Sequence, residues 1–155
     1  MGRHRYELTI EWTGSGGSGT TSPRAYSRDH TVTAAGPAPI AGSSDPAFRG
    51  DPARWNPEQL FVASIAQCHM LWYLGLAAAA GVVVLEYVDR PTGVMVEEPS
   101  GAGQFESVTL RPRVRIDPAS DAVLAEELHH RVGEYCFIAR SIAVPVRHEV
   151  TIETV

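Results

Sequence analysis

An α+β fold is what this 155-residue chain predicts. Two-residue alternation recurs toward both ends, a long apolar segment of helical character lies between, and a shorter helical pattern follows near the C-terminus. The resulting order of strands, helix, strands, helix, strand is not the regular alternation that winds a parallel sheet. The length suits one domain, residues 1–155, with a core of its own.

The elements follow in order. Tyr6, Leu8, Ile10 and Trp12 alternate with Glu7, Thr9, Glu11 and Thr13, the pattern of a half-buried strand. Gly14 to Gly19 is a flexible Gly/Ser loop, and a second strand is expected over Tyr26 to Thr33. Residues 34–52, rich in Gly, Pro, Ser and Asp, read as a long loop. Asn56-Pro57-Glu58-Gln59 is a helix start, with a capping Asn, Pro in the first turn and an acid beside it. The helix is expected to reach Ala80, about 24 residues and about 36 Å, with Gly81 as its stop. It is apolar almost all round, which marks an element needing cover on every side.

Val82 to Val88 is β-branched and strand-like, and Val94 to Glu98 is another candidate. Val108, Leu110, Val114 and Ile116 alternate with Thr109, Arg111, Arg113 and Arg115, read as one half-buried strand. Asp117-Pro118 repeats the cap-then-proline signal and opens a helix carrying Leu124, Leu128 and Val132 as far as Tyr135 or Cys136. Val144 to Val146 and His148 to Ile152 read as a last strand. A single six-stranded sheet buries only one face against such a helix, so a dimer is expected to cover the rest.

Composition excludes several functions. A net charge of −5 and a pI near 5.6 do not suit a protein that neutralises a phosphate backbone. All 13 basic side chains are Arg, so neither a Schiff-base lysine nor a phosphate-loop lysine exists. The apolar run from Leu60 to Leu85 is broken by Ser64, Gln67, His69 and Gly81, and reads as a buried helix rather than a membrane span. Charged residues from Arg3 onward have no apolar run behind them, so the expected address is cytoplasmic. The stripe Arg111, Arg113, Arg115 reads as a solvated strand face, and Glu126, Glu127, His129 and His130 as an exposed helix face.

Two cysteines remain. Cys68, between Gln67 and His69, lies inside the long helix, and Cys136 lies where the second helix ends. Each reads equally as a small core hydrophobe or as a redox-active thiol. The surrounding motifs bear on that choice. Asn56-Pro57-Glu58 followed by Cys68 ten residues after the Glu, together with His129 and Glu134-Tyr135-Cys136-Phe137-Ile138-Ala139-Arg140-Ser141, resembles the OsmC/Ohr family of osmotically inducible and organic hydroperoxide resistance proteins. The resemblance covers nearly the whole chain.

It implies an OsmC-like α+β fold, an antiparallel sheet wrapped around the long central helix, in an intertwined homodimer with sites at the interface. It also implies a peroxidase in which Cys68 attacks an organic hydroperoxide and Cys136 resolves the sulfenic acid as a disulfide. No cofactor or metal is expected. The reductant would be an external thiol, often a lipoylated protein, and neither nucleic acid nor membrane is an expected partner. An Arg held by Glu58 would stabilise the thiolate, with Arg49 the first candidate, Arg28 the alternative and Arg54 third. Phe61, Leu71 and Trp72 supply apolar walls that suit an organic peroxide.

On one helix Glu58 and Cys68 stand about 15 Å apart. Either that helix breaks, or Glu58 meets Cys68 of an antiparallel partner. One departure is His69, where the family commonly has an aromatic or small residue; it tunes the thiolate or fills space. Two other readings stay open: a zinc site built from Cys68, His69, His130 and Cys136, or a binding protein that holds an apolar ligand without turnover.

Overall fold

The computed structural model describes residues 1–155. The chain divides into two compact units, Met1–Leu60 and Phe61–Val155, taken here in turn.

In the first unit β1 (Thr9–Trp12), β2 (His30–Thr33) and β3 (Ile40–Gly42) form an antiparallel sheet in that order. β1 pairs Thr9 with Thr33 and Trp12 with His30, and the ladder runs on through Thr13 N–H to Asp29 O and Ser27 N–H to Gly14 O. The alternation in β1 does not bury a face: all four of its residues are exposed, Ile10 at 62%. β3 and a 3₁₀ turn at Pro46–Phe48 occupy the segment expected to be loop throughout. The carboxylate of Asp45 accepts from Ala47 N–H at 2.7 Å and starts that turn. Gly50 closes it, since a Cβ there would stand 1.6 Å from Ser44 O.

The helix start matches its reading. The Asn56 side chain accepts from Gln59 N–H at 2.8 Å while Gln59 Oε1 accepts from Asn56 N–H at 3.1 Å, a reciprocal cap. α1 then runs unbroken over Pro57–Ala79. Gly81, at φ +76°, ends it with a left-handed residue that lets Val82 N–H reach Ala77 O at 2.9 Å.

The second unit holds the rest of α1, then β4 (Val84–Asp89), β5 (Thr92–Glu97), β6 (Gly103–Leu110), β7 (Pro112–Ile116), α2 (Ala122–Arg131), β8 (Val146–His148) and β9 (Thr151–Thr154). The expected six-stranded sheet is instead three sheets of three strands: the one above, β4-β7-β9 and β5-β6-β8. The residues read as one strand over 108–116 break at Arg111. Pro112 has no N–H to extend a ladder, and Arg111 N–H turns aside to Asp89 Oδ1 at 2.7 Å. β6 and β7 therefore belong to different sheets. The expected last strand splits in the same way, β8 lying parallel to β6 and β9 parallel to β7. Asp117-Pro118 makes a turn, and the helix it was expected to start begins later, capped by Asp121.

Two apolar clusters hold this unit together. Tyr73 and Ala77 of α1 pack with Val114 and Ile116 of β7 and Leu128 of α2, while Ile65 packs with Val108 and Leu110 of β6. Both draw on one stripe of α1: Ile65, His69, Tyr73 and Ala77, four residues apart. Many residues on the other faces of the helix are only partly buried, Phe61, Val62, Leu74 and Leu76 among them, and Leu71 is 62% exposed. Leu110 is fully buried, so Leu110→Ala is expected to cost about 2–5 kcal/mol, measured as a lower urea midpoint. The Arg stripe is neutralised on the surface: Arg111 pairs with Glu149, Arg113 with Glu153 and Arg115 with Glu86. Exposed pairs of this kind contribute about 0–1 kcal/mol each, and they leave no array of unpaired cations for an anion.

Candidate functional site

Cys68 is half-buried on α1 and Cys136 fully buried beyond α2, and both thiols are free. Local folding brings the second to the first. α2 tightens after Arg131 into a 3₁₀ turn, Val132–Glu134, and Val132 O accepts from both Tyr135 and Cys136 N–H. Cys136 O then accepts from Arg140 N–H, and a second 3₁₀ turn follows at Ala139–Ser141. Held between these turns, the Cys136 thiol donates to Cys68 Sγ at 2.7 Å across 68 residues of sequence. A disulfide at about 2.05 Å is within a small side-chain movement.

Burial, and then the hydrogen bond to Cys68, push the Cys136 thiol up to about 11, so it stays protonated at neutral pH. Trp72, one turn on from Cys68, stacks on Tyr135 at 5.3 Å and meets the edge of Phe137 at 5.7 Å. Phe61, the other aromatic expected as a wall, packs on Phe105 at 4.8 Å in the cluster around Ile65. Leu71 points away from the core.

The remaining candidates lie in the first unit. Glu58, in the first turn of α1, has a buried Oε2 with no hydrogen-bond partner. Arg49 is exposed, carries a left-handed backbone at φ 67° and forms no ion pair. Arg28 is engaged: it donates to Pro23 O and Tyr26 O and lies 4.1 Å over the Tyr26 ring. Arg54 reaches Asp29 at 3.6 Å and Asp51 at 3.8 Å. The unbroken α1 removes the broken-helix route by which Glu58 and Cys68 of one chain were to meet. His130 is exposed, and the residues named for the zinc site form no group able to hold a metal ion.

Two histidines sit where the sequence reading did not place them. His129, read as part of an exposed face with Glu126, Glu127 and His130, is 1% exposed. It falls four residues after Ala125 and one after Leu128 on the buried stripe of α2, a spacing that could have revealed it. Its Nδ1 lies 2.9 Å from His69 Nε2, and its ring stacks on Tyr73 at 3.7 Å. His148, the last residue of β8, faces His69 with ring centroids 4.5 Å apart. Burial lowers His69 and His129 to about 3, neighbouring imidazoles adding to the effect, and burial lowers His148 as well. The cluster is uncharged at neutral pH. His69, His148 and Cys136 share a cavity of about 160 Å³ whose other walls are apolar, Ile65, Leu110 and Val132 among them.

The family described as OsmC-like protein matches residues 50–151. Among solved structures, an OsmC-like protein of unknown function from Vibrio cholerae is 30% identical, with 96% of this chain and 99% of that one covered at a TM-score of 0.84. Two organic hydroperoxide resistance proteins share the fold. The one from Legionella pneumophila is 16% identical at TM-score 0.65, covering 97% and 99% of the two chains. The one from Bacillus subtilis is 18% identical at TM-score 0.64, covering 97% and 98%. A comparison with curated proteins gives no match.

Proposed function

Because the chain belongs to the OsmC-like protein family, we propose that it is a thiol-dependent peroxidase acting on organic hydroperoxides. The observation that carries this reading is the 2.7 Å approach of Cys68 Sγ and Cys136 Sγ. Paired, unoxidised sulfurs so far apart in sequence suit reversible chemistry, and Cys68 is the more exposed of the two.

In the first step the Cys68 thiolate attacks the outer peroxide oxygen. An S–O bond forms, the O–O bond breaks, and the alkoxide leaves as an alcohol after taking a proton. In the second, Cys136 displaces the oxygen of the sulfenic acid and a disulfide closes. An external dithiol of the lipoyl kind then restores both thiols by exchange. No resident cofactor is needed. Trp72, Tyr135 and Phe137 supply an apolar approach for the organic part of the peroxide.

Glu58 and one Arg complete the site in a homodimer. The unpartnered Glu58 Oε2 supports this, since a buried carboxylate oxygen calls for a cation. So does Leu71, an apolar side chain of α1 left exposed. Arg49 takes the role because it is unpaired, whereas Arg28 is committed to backbone carbonyls. The reading is tested by steady-state reduction of cumyl hydroperoxide with a dithiol. Cumyl alcohol should form catalytically; hydroperoxide left unreduced, even if bound, points to the binding protein instead. Arg49→Met is expected to lower kcat/KM by about 10² or more while Arg28→Met leaves it near wild type, and the reverse pattern moves the role to Arg28.

A further inference from the structure

Water is a poor occupant of the cavity beside Cys136. The space of about 160 Å³ would take about five waters, each wanting about three polar partners. The polar side chains that line it are two imidazoles, His69 and His148, and the Cys136 thiol proton is already given to Cys68 Sγ. Much of the remaining wall is aliphatic, with Ile65, Leu110, Val132 and Val144 among its residues. An apolar cavity of about 150 Å³ stays dry and admits benzene, so the space here matches one molecule the size of a single ring.

The imidazoles give that space a polar end of defined sense. His69 is 3% exposed, and its Nε2 lies 2.9 Å from His129 Nδ1, so one proton serves both atoms. His129 Nε2 is buried without a partner, and an orphaned buried N–H is rarer than an orphaned lone pair. His129 therefore carries its proton on Nδ1 and donates it to His69 Nε2. That leaves the His69 proton on Nδ1, an N–H with no acceptor in the chain on a ring that lines the cavity. His148 faces it with ring centroids 4.5 Å apart and is also free of hydrogen bonds within the chain.

We propose that this cavity is a binding site for one small, uncharged molecule of about phenol size that carries a single hydroxyl group. The hydroxyl oxygen accepts from His69 Nδ1–H and its proton goes to a nitrogen of His148, while the apolar part lies between Ile65, Leu110, Val132 and Val144. Burial keeps both imidazoles neutral at neutral pH, so an ionic ligand finds no counter-charge there. Gly133 is exposed and has open space where a side chain would stand, which leaves the rim on that side unobstructed. Cys68 does not line the cavity, so the site stands apart from peroxide attack and does not depend on the peroxidase reading.

The test titrates the reduced full-length protein with phenol at pH 7.5, read by nitrogen–proton spectra of the imidazoles and by Overhauser contacts from the phenol ring. The His69 and His148 signals should shift saturably, with contacts to the Leu110 and Val144 methyl groups. Toluene, of equal size without the hydroxyl, should bind about tenfold more weakly, and benzoate should not bind. His148→Phe keeps a ring in the wall and should bring phenol close to the affinity of toluene. Val132→Phe fills the space and should abolish binding of both; if that variant does not fold, the contacts in the wild-type protein decide the location. No saturable shift overturns the site, as do contacts only to residues outside the cavity or undiminished binding to folded Val132→Phe. Toluene or benzoate binding as tightly as phenol overturns the ligand class.

Discussion

On the peroxidase reading, Cys68→Ser is expected to abolish hydroperoxide turnover, leaving only the rate of peroxide with free dithiol. Oxygen-for-sulfur replacement keeps the shape of the side chain but removes the nucleophile, because the hard, un-ionised serine hydroxyl does not attack a peroxide oxygen as soft thiolate sulfur does. Cys136→Ser is expected to give a different result. Cys68 should still attack, so one equivalent of alcohol per chain should appear in a burst. The sulfenic acid then has no thiol at 2.7 Å to trap it. Turnover stalls, and excess peroxide drives Cys68 to sulfinic acid, which mass spectrometry reads as two added oxygens. Equal, full activity in both variants would remove the two-thiol mechanism.

The second large effect concerns stability. His69 and His129 are 3% and 1% exposed and titrate near 3 in the folded chain, against an ordinary value of 6.5. The unfolded chain therefore binds more protons between those limits. Stability is complete above about pH 6.5 and falls as the pH drops toward 3. At pH 5 each ring costs about 2 kcal/mol, so the pair removes about 4 kcal/mol, a large part of an ordinary domain's 5–15 kcal/mol. His148 shifts in the same sense. Asp89, whose carboxyl burial pushes up, works in the opposite sense because protonation relieves its cost. Urea midpoints at pH 7.5 and 5.0 measure the loss. His129→Phe, which keeps a ring against Tyr73 without a titrating nitrogen, should roughly halve the slope; an unchanged midpoint at pH 5 contradicts neutral burial of the pair.

Local signals were legible wherever chemistry within a few residues decides the backbone. The Asn56 cap, Pro57 at the first helical position and the Gly81 stop bracket α1 to within a residue of its expected end. The two cysteine motifs marked Cys68 and Cys136 because their spacing is held in sequence, and the folded chain sets them side by side. What escaped depends on tertiary partners. Alternation over 108–116 says which residues point inward but not that Pro112 passes the chain to a second sheet, so one strand was expected where two exist. The same holds for the C-terminal segment, whose parallel partners β6 and β7 lie far back in the chain. His129 escaped because its neighbours Glu126, Glu127 and His130 set an exposed tone that helical spacing overrides. The alternation in β1 marked a strand but not its burial, since all four of its residues are exposed.

Peptide mapping after a single equivalent of cumyl hydroperoxide is the most direct trial of the central claim. The fragment containing Cys68 should be recovered joined to the one containing Cys136 from the same chain, with two thiols lost for each alcohol formed. Recovery of both cysteines as free thiols, or of Cys68 oxidised with Cys136 untouched, would contradict it.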